Sequence, residues 1–249
     1  MSTKSTEPTV LIHANLTEIQ DTNRVRVAVA ICENKPVMDV IAYIHQEMVS
    51  NAVGPDAAYI RDKLEPSWLR VVSPVAPVAG VIDSAEMLQA YYRFFQLVKP
   101  GSTWDHKKPI LKGDPKKPMI PKEGFGKFTC DLDKHVRYQY DIWSNIHYGY
   151  VGLACGLPRW DLLAGGGGAQ IYARTVPDGY WSRRFQELGD ADFLAAFDDP
   201  ADQEAIKIGF ELWDSHKLSM TTKHILDIVR ERFSRLSTEV CELRCVKHK

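Results

Sequence analysis

The sequence predicts a mainly α-helical protein, with a short β element near the N-terminus and a long amphipathic helix at the C-terminus. Three observations lead to this fold class. Apolar residues recur at three- to four-residue intervals along most of the chain, which is the period of a helix. Residues 24–32 instead alternate and are rich in valine, a pattern typical of a strand. The C-terminal residues repeat apolar positions at spacings of 3 and 4, which indicates a helix with one narrow apolar seam.

The chain has 249 residues, enough for one or two domains with a substantial core. We expect three parts: an N-terminal extension with short strands over 1–36, a helical catalytic domain over 37–216, and the C-terminal amphipathic helix over 217–249. Lys and Arg number 31 against 32 Asp and Glu, so the net charge is −1. This balance argues against a dedicated nucleic-acid binder, although it leaves room for a nuclease with one basic patch.

No apolar run in the sequence approaches the roughly 20 residues that span a bilayer, so we expect no transmembrane segment. The first residues are polar and carry no apolar core of a Sec-type signal. If the protein leaves its cell, we therefore expect it to use another route.

The elements before residue 105 follow from periodicity and from helix-capping signals. In chain order we predict strands at 10–13 and 24–32, helices at 37–54 and 56–64, an extended Pro-punctuated segment at 71–83, and a helix at 85–98. Asp83 and Glu86 have the three-residue spacing of a capping box, which places the start of that last helix.

Residues 105–127 contain seven lysines, four prolines and three glycines. This composition predicts a long, exposed, basic loop. Its simplest role is that of a solvated connection. A functional role would be that of a lid or of a contact surface for an anionic partner.

The remaining elements are helices. Asp141 is the predicted N-cap of an aromatic helix, Pro158 opens a further helical turn that four glycines end, and Asp199 with Pro200 opens another helix. The C-terminal seam is formed by Leu226, Val229, Phe233, Leu236, Val240 and Leu243. We expect this seam to pack on the N-terminal part of the chain, or else on a second copy, a loading adaptor or a chaperone.

Cysteine and histidine positions give little support to a metal site. The five cysteines are odd in number and include no CxxC pair, so reduced thiols in a cytosol are the simplest interpretation. Cys241, Cys245 and His248 would form at most half a metal site. We expect no metal and no cofactor. His147 lies in the aromatic helix, where a core residue is a commoner outcome than a catalyst.

Acidic residues are better placed for chemistry. Asp105 follows Trp104, Asp141 opens the aromatic helix, and Asp199 and Asp202 cluster at the start of a later one. Such residues are often helix caps. Beside aromatic residues, however, burial raises a carboxyl pKa, and two carboxyls in an aromatic cleft suit glycoside cleavage. The same aromatic residues would also suit the stacking of nucleic-acid bases. Nucleotide-binding, zinc-protease and α/β-hydrolase motifs are absent from the sequence.

Five short motifs occur in a fixed order between about residues 45 and 215. They are EMVSNA at 47–52, a segment from Tyr92 through VKPG to WDHK at 104–107, NIHYGYVG at 145–152 followed by Gly156, LLAG at 162–165 with AQ at 169–170, and DDPADQ at 198–203 with Ile206 and Gly209. Together they resemble the polymorphic toxin type 44 family (bacterial toxin 44). The chain departs from the family pattern at His106, where the family has tyrosine, and in its longer lysine-rich segment.

The resemblance implies a secreted antibacterial effector of a polymorphic toxin or type VI secretion system, paired with a cognate immunity protein. It would be made in the cytoplasm, exported without a Sec signal, and active in the periplasm or, alternatively, the cytoplasm of a target cell. The first hypothesis for its activity is hydrolysis of the peptidoglycan glycan, in the manner of a muramidase. The second is a ribonuclease in which His147, Lys107 and Tyr148 supply the acid, the base and the phosphate contact. The third is a non-enzymatic adaptor.

The matched motifs also supply the candidate site residues other than Asp141, and we expect these motif residues to line one cleft. The catalytic candidates are Glu47, Asp105, Asp141 and His147. The substrate-binding candidates are Trp104, Lys107, Asn145, Tyr148, Gln170 and Asp199. In the glycan hypothesis, Glu47 or Asp105 donates the proton and the other acid stabilises charge or activates water.

Overall fold

The computed structural model describes residues 16–21, 24–31, 34–65, 76–163, 199–241 and 244–245. The helices of this part of the chain are α1 Val37–Val53, α2 Pro55–Leu64, α3 Ala76–Val98, α4 Lys107–Lys112, α5 Tyr140–Ala154, α6 Arg159–Leu163, α7 Pro200–His216 and α8 Thr222–Glu231. The strands are β1 Leu16–Asp21, β2 Arg24–Ile31, β3 Lys35–Pro36, β4 Phe128–Asp131, β5 Val136–Gln139, β6 Thr238–Val240 and β7 Arg244–Cys245. The mainly α fold class is confirmed. The division into three parts stays a prediction.

The strands form two small sheets. One has the order β1-β2-β7, and the other has the order β3-β4-β5-β6. In the second sheet β3 and β4 are parallel, whereas β5 pairs antiparallel with β4 and with β6. Because β6 comes from near the C-terminus, this sheet joins the beginning, middle and end of the described chain.

Helix α5 is the centre of the core. Every residue from Ile142 to Gly152 is buried, as in a helix that is surrounded on all sides. Helix α1 covers it with an apolar face that includes Ile41, Ile44 and Met48, all fully buried. The helical period predicted for α1 is thus confirmed.

Helices α5 and α7 run in the same direction and approach very closely. A Cβ atom added at Gly209 would lie 2.2 Å from the carbonyl oxygen of Ile146, so only glycine fits there. Further along the pair, the rings of Tyr150 and Trp213 are 5.2 Å apart. The parallel arrangement brings the N-termini of α5 and α7 to the same end of the molecule.

Two predictions made before residue 128 are wrong. Residues 76–83 are helical rather than extended, because α3 begins by Ala76, and Asp83 therefore lies inside the helix rather than at its cap. Proline is tolerated in a first turn because its missing N–H needs no partner there. Residues 105–127 are not solvated throughout: Ile110, Ile120 and Phe125 are buried and the segment contains α4, although five of its lysines are exposed as predicted.

The C-terminal helix is only partly as expected. Helix α8 covers ten residues, and a 3₁₀ turn at Phe233–Arg235 and strand β6 follow it. The predicted seam is divided accordingly: Val229 and Leu236 are buried, whereas Phe233 and Val240 are exposed. The backbone N–H and carbonyl groups of β5 pair with those of residues 238–240, so these residues form a strand instead of continuing the helix. Leu243, the predicted strand at 10–13 and the four-glycine turn lie outside the described residues.

An ion pair ties α8 to the second sheet. Arg230 donates to both carboxylate oxygens of Asp131, at 2.6 and 2.7 Å, and also to Asp133. The Asp131 side chain is only 1% exposed. A bidentate guanidinium satisfies a buried carboxylate well, so this contact fixes where the C-terminal segment lies.

Candidate active site

Two helix N-termini bring several of the predicted acids together. Asp141 lies in the first turn of α5, and Asp202 lies in the first turn of α7. Asp199 is the N-cap of α7 and accepts a hydrogen bond from the backbone N–H of Ala201 at 2.8 Å. Lys107, at the start of α4, interacts electrostatically with both Asp141 and Asp202. We call Asp141, Asp199 and Asp202, with Lys107 and Asn145, the acidic cluster.

The two half-buried carboxyls of the acidic cluster have perturbed pKa values. Burial raises the pKa of Asp202 to about 6, and the charges of Asp141 and Asp199 add to this, whereas Lys107 and the side-chain amide of Asn145 oppose it. Burial also raises the pKa of Asp141, and Lys107 is the main opposing influence. At a pH near 6, the Asp202 carboxyl is therefore protonated in about half of the molecules.

Asp105 has a different environment. Its two carboxylate oxygens accept hydrogen bonds from the backbone N–H groups of Gly101, at 2.8 Å, and Lys107, at 3.0 Å. These bonds shape the turn that follows α3 and place Lys107 at the edge of the acidic cluster. Burial is the main cause that raises the pKa of Tyr140, and the charges of Asp141 and then Asp105 add to it. The observed contacts of Asp105 are those of a residue that organises the backbone.

A buried group of aromatic and polar residues lies behind this turn. His106 is fully buried, and its Nδ1 atom is 2.6 Å from the hydroxyl of Tyr43. The rings of His106 and His147 are in edge contact, with centroids 4.2 Å apart. Asn51 lies 2.9 Å from Nε2 of the fully buried His147. We call Tyr43, Asn51, His106 and His147 the histidine group.

The histidine group is uncharged at neutral pH. Burial, helped by the nearby Lys117 ammonium, lowers the pKa of His147 to about 3. Burial is also the main cause that lowers the pKa of His106, followed by His147 and Lys117. Burial and the charge of Glu47 raise the pKa of Tyr43. A neutral imidazole cannot act as an imidazolium proton donor. The contacts of these residues are therefore those of buried polar groups in a protein core.

Glu47 belongs to the surroundings of the histidine group. It forms an ion pair of 2.9 Å with Lys117, whose ammonium lies 5.7 Å from the centre of the Tyr43 ring. Lys117 comes from the segment predicted as a solvated loop, and its side chain is only 17% exposed. The ion pair therefore holds this segment against α1.

The aromatic candidates are core residues. Trp104 is 3% exposed and packs against Phe94 and His147, with ring centroids 6.2 Å away in both cases. Tyr148 is 5% exposed, and its hydroxyl donates to the carbonyl oxygen of Leu162 at 3.1 Å. Stacking on a substrate would require both rings to leave the core. Gln170 lies outside the described residues.

The structure thus divides the predicted set of site residues. Asp141, Lys107, Asn145 and Asp199 are brought together in the acidic cluster, and Asp105 lies at its edge. His147 belongs to the histidine group, and Glu47 lies beside that group. Trp104 and Tyr148 lie in the core. Asp105 directly precedes His106, which contacts His147, so the two groups are neighbours.

Sequence reasoning left Asp202, His106 and Tyr43 out of the candidate list. Asp202 has a visible signal, because it lies three residues after an N-cap within the DDPADQ motif and so faces the same way as that cap. His106 was noted only as a departure from the family pattern. Its contact with Tyr43 joins residues 63 positions apart and has no local signal.

Two features are absent from the part of the chain that the structure describes. No group of three or more His, Cys, Asp or Glu side chains in this part of the chain is arranged to hold a metal ion. Among the described helices, none combines the length and the apolar character needed to cross a bilayer.

Comparison with known families identifies the class of this domain. Residues 93–215 match the family model of bacterial toxin 44, which confirms the resemblance over this region. The chain therefore contains a bacterial toxin domain, which implies action in a target cell and a cognate immunity protein. The match includes the whole acidic cluster, whereas Glu47 and the EMVSNA motif lie before it. No curated protein and no solved structure matches the chain.

Proposed function

We propose that this toxin domain hydrolyses a glycosidic bond of peptidoglycan, with Asp202 as the proton donor and Asp141 as the ionised partner. The observation that carries the proposal is the raised pKa of Asp202, about 6, beside a second half-buried carboxyl. Glycoside hydrolysis requires this combination of one protonated and one ionised carboxyl. The clustering of both groups at two helix N-termini holds them on rigid elements.

In the proposed reaction, the protonated carboxyl of Asp202 gives its proton to the glycosidic oxygen as the bond breaks. The Asp141 carboxylate either stabilises the positive charge that develops at the anomeric carbon or activates a water molecule. The Asn145 amide and the Lys107 ammonium both favour the ionised form of Asp202, and Lys107 also favours the ionised form of Asp141. Asp105 supports the site by shaping the backbone that presents Lys107.

Asp202 is a better proton donor than the two acids considered from sequence. Both oxygens of Asp105 already accept hydrogen bonds from backbone N–H groups. Glu47 is ion-paired with Lys117. Either residue would have to give up these contacts before its carboxyl could reach a glycosidic oxygen.

The ribonuclease alternative has one supporting observation. Five lysines are exposed in the 107–127 segment, which also contributes Lys107 to the acidic cluster: Lys108, Lys112, Lys116, Lys122 and Lys127. Its proposed acid–base pair is less well supported, because His147 is fully buried and its pKa is lowered to about 3. The Tyr148 hydroxyl is also engaged with a backbone carbonyl.

The proposal extends to delivery. A glycan hydrolase of this kind would be made in the cytoplasm, exported by a polymorphic toxin or type VI system, and active in the target periplasm. An adaptor or chaperone could recognise the exposed side chains of Phe233 and Val240, which are 41% and 76% accessible. The immunity protein would act in that same periplasm.

The decisive experiment offers both substrates to the purified protein. Isolated peptidoglycan sacculi and total RNA are incubated separately, and products are followed by reducing-end labelling with mass spectrometry and by electrophoresis. New saccharide reducing ends that disappear in the Asp202→Asn variant support the proposal. Cleavage of RNA alone would overturn it in favour of the ribonuclease, and no cleavage of either would favour the adaptor.

A further inference from the structure

Two buried cysteines from distant parts of the chain are in direct contact. The Sγ atoms of Cys130 and Cys241 are 2.7 Å apart and share a hydrogen bond, although the residues are 111 positions apart in sequence. Both side chains are 4% exposed. Cys130 lies on β4, and Cys241 directly follows β6.

The backbone around this pair is held in place on both sides. The N–H of Cys241 donates to the carbonyl oxygen of His135 at 2.9 Å, which anchors it beside the β4–β5 connection. Asp131, the neighbour of Cys130, accepts the bidentate pair from Arg230 of α8. The C-terminal segment is therefore held both at β4 and at the β4–β5 connection, and these contacts keep the two thiols together.

We propose that Cys130 and Cys241 are a disulfide-forming pair, which closes when the toxin encounters a disulfide oxidant. One thiol loses a proton and attacks the oxidant's disulfide, releasing one oxidant thiol and forming a mixed disulfide. The second thiol then loses its proton and displaces the remaining oxidant thiol. Two electrons pass to the oxidant, two thiols of the oxidant are released, and one Sγ–Sγ bond of about 2.05 Å remains in the protein.

The bond would attach the residue that follows β6 covalently to β4, in the middle of the chain. Its loop is long, so it restricts the unfolded chain strongly and raises stability. In the reducing cytosol of the producing cell the pair stays as thiols, whereas a periplasm or cell exterior favours the disulfide. The inference does not depend on which bond the toxin cleaves.

The test uses the purified full-length protein incubated with oxidised glutathione or with dithiothreitol. Remaining thiols are alkylated under denaturing conditions, and the digest is analysed by mass spectrometry. We expect the oxidised sample to lose the mass of two hydrogen atoms and to contain a peptide linked through Cys130 and Cys241. Its Tm should exceed that of the reduced sample by on the order of 5–10 °C.

Cys155 offers a matched control, because it is also buried and its pKa is raised to about 12, mainly by burial. The Cys155→Ser variant should keep the oxidant-dependent Tm shift, and Cys241→Ser should lose it. Complete alkylation of Cys130 and Cys241 after oxidation, or linkage through another cysteine, would overturn the proposal. If Cys241→Ser does not fold, the peptide analysis of the unmodified chain still decides the question.

Discussion

Asp202 illustrates how a single carboxyl can serve chemistry at the expense of stability. Its pKa of about 6 lies above the ordinary value for aspartate, so the folded state binds its proton more tightly than the unfolded state does. The carboxyl is protonated in both states at low pH and carries no penalty there. The penalty grows as the pH rises through the interval from about 4 to 6, and it is complete above that interval.

Replacing Asp202 with Asn should therefore separate the two effects. We expect glycan hydrolysis to fall by about 10²–10⁴-fold, because the proton donor is lost. At pH 7.5 we expect the variant to be more stable by about 1 kcal/mol, a value reduced for partial solvent exposure. Thermal unfolding at pH 7.5 and at pH 4 checks this, since the gain should be absent at the lower pH.

The Asp227→Asn variant is a suitable control for that experiment. Asp227 is an exposed carboxylate on α8 that pairs with Lys223 four residues away. Its removal should leave activity unchanged and stability nearly so. An Asp202→Asn variant that retains full activity would mean that Asp202 is not the proton donor.

Lys107 should control the pH range of the reaction. Its ammonium opposes the raised pKa of both Asp202 and Asp141, so the Lys107→Met variant should raise both values. Because the donor must be protonated, the alkaline limb of kcat/KM should move to higher pH, and the acidic limb should move in the same direction. The neighbouring Lys108 is exposed, and Lys108→Met should leave the profile in place. An unchanged profile for Lys107→Met would contradict the assignment of the two limbs.

At the scale of elements, the parallel pair α5 and α7 sets the distance between the two carboxyls. The pair touches through Gly149 and Gly209, where an added Cβ atom would meet backbone atoms at 2.2 Å in each case. Backbone atoms cannot rotate away as a side chain can. The close approach is therefore a requirement for the positions of Asp141 and Asp202, which lie at the N-termini of these helices.

The Gly209→Ala variant should separate the two helices. We expect a loss of at least about 1–3 kcal/mol in the free energy of unfolding, because a methyl group is forced into a filled space. Activity should fall at temperatures where the variant is still folded, since the carboxyls move apart. Denaturant unfolding and sacculus hydrolysis measure the two effects. The Gly54→Ala variant is the control and should lose less stability. A Cβ atom added at Gly54 would lie 3.2 Å from its nearest neighbour, and the φ of −68° at this position suits alanine. Equal stability of both variants would contradict this account.

The C-terminal segment gives a second prediction at this scale. Leu236 is 6% exposed and belongs to the core, whereas Phe233, in the adjacent 3₁₀ turn, is 41% exposed. We expect Leu236→Asp to cost at least about 3 kcal/mol, because it removes buried apolar contacts and buries a charge. Phe233→Asp should leave stability and hydrolysis intact and reduce export if an adaptor binds there. Normal export of Phe233→Asp would exclude this residue from the docking site.

At the scale of the whole molecule, the sequence predicts the helical core well and the junctions poorly. Helices α1, α2 and α7 follow from apolar periodicity and capping residues, because these signals are local. The apolar spacing of the C-terminal seam predicts one long helix. Residues 238–240 instead pair with β5, and this tertiary contact has no signal in the local sequence. Proline residues at 74 and 77 suggest an extended chain, although a helix accepts proline in its first turn.

The candidate site shows the same limit. Asn145 and Asp199 belong to the motifs, and Asp141 is a candidate as the acid that opens the aromatic helix. The fold places all three in the acidic cluster. The sequence cannot show which carboxyl is desolvated, because burial depends on segments that are distant along the chain. It also cannot show that His147 meets His106 and Asn51 in the core. The residue types in the sequence predict a set of candidate site residues, and the packing of the fold determines which of them lie together.

The compartment in which the protein is toxic tests the proposal for the whole molecule. Peptidoglycan lies outside the cytoplasmic membrane, so the chain fused to a cleavable Sec signal should lyse a susceptible bacterium, while cytoplasmic expression should be tolerated. A ribonuclease would give the reverse pattern, because its substrate is cytoplasmic. Growth curves and microscopy distinguish lysis from growth arrest.

Two variants make this result specific. Asp202→Asn directed to the periplasm should remove lysis, whereas Asp227→Asn should preserve it, and immunoblots should show equal amounts of both proteins. Cys241→Ser should reduce lysis only through lower protein stability in the oxidising periplasm, and lower abundance on the same blots would reveal that cause. If cytoplasmic expression arrests growth and the Asp202→Asn variant arrests it equally, the protein is not a glycan hydrolase that uses Asp202. The toxic activity would then belong to another part of the surface, and the exposed lysines between 107 and 127 would be the first residues to substitute.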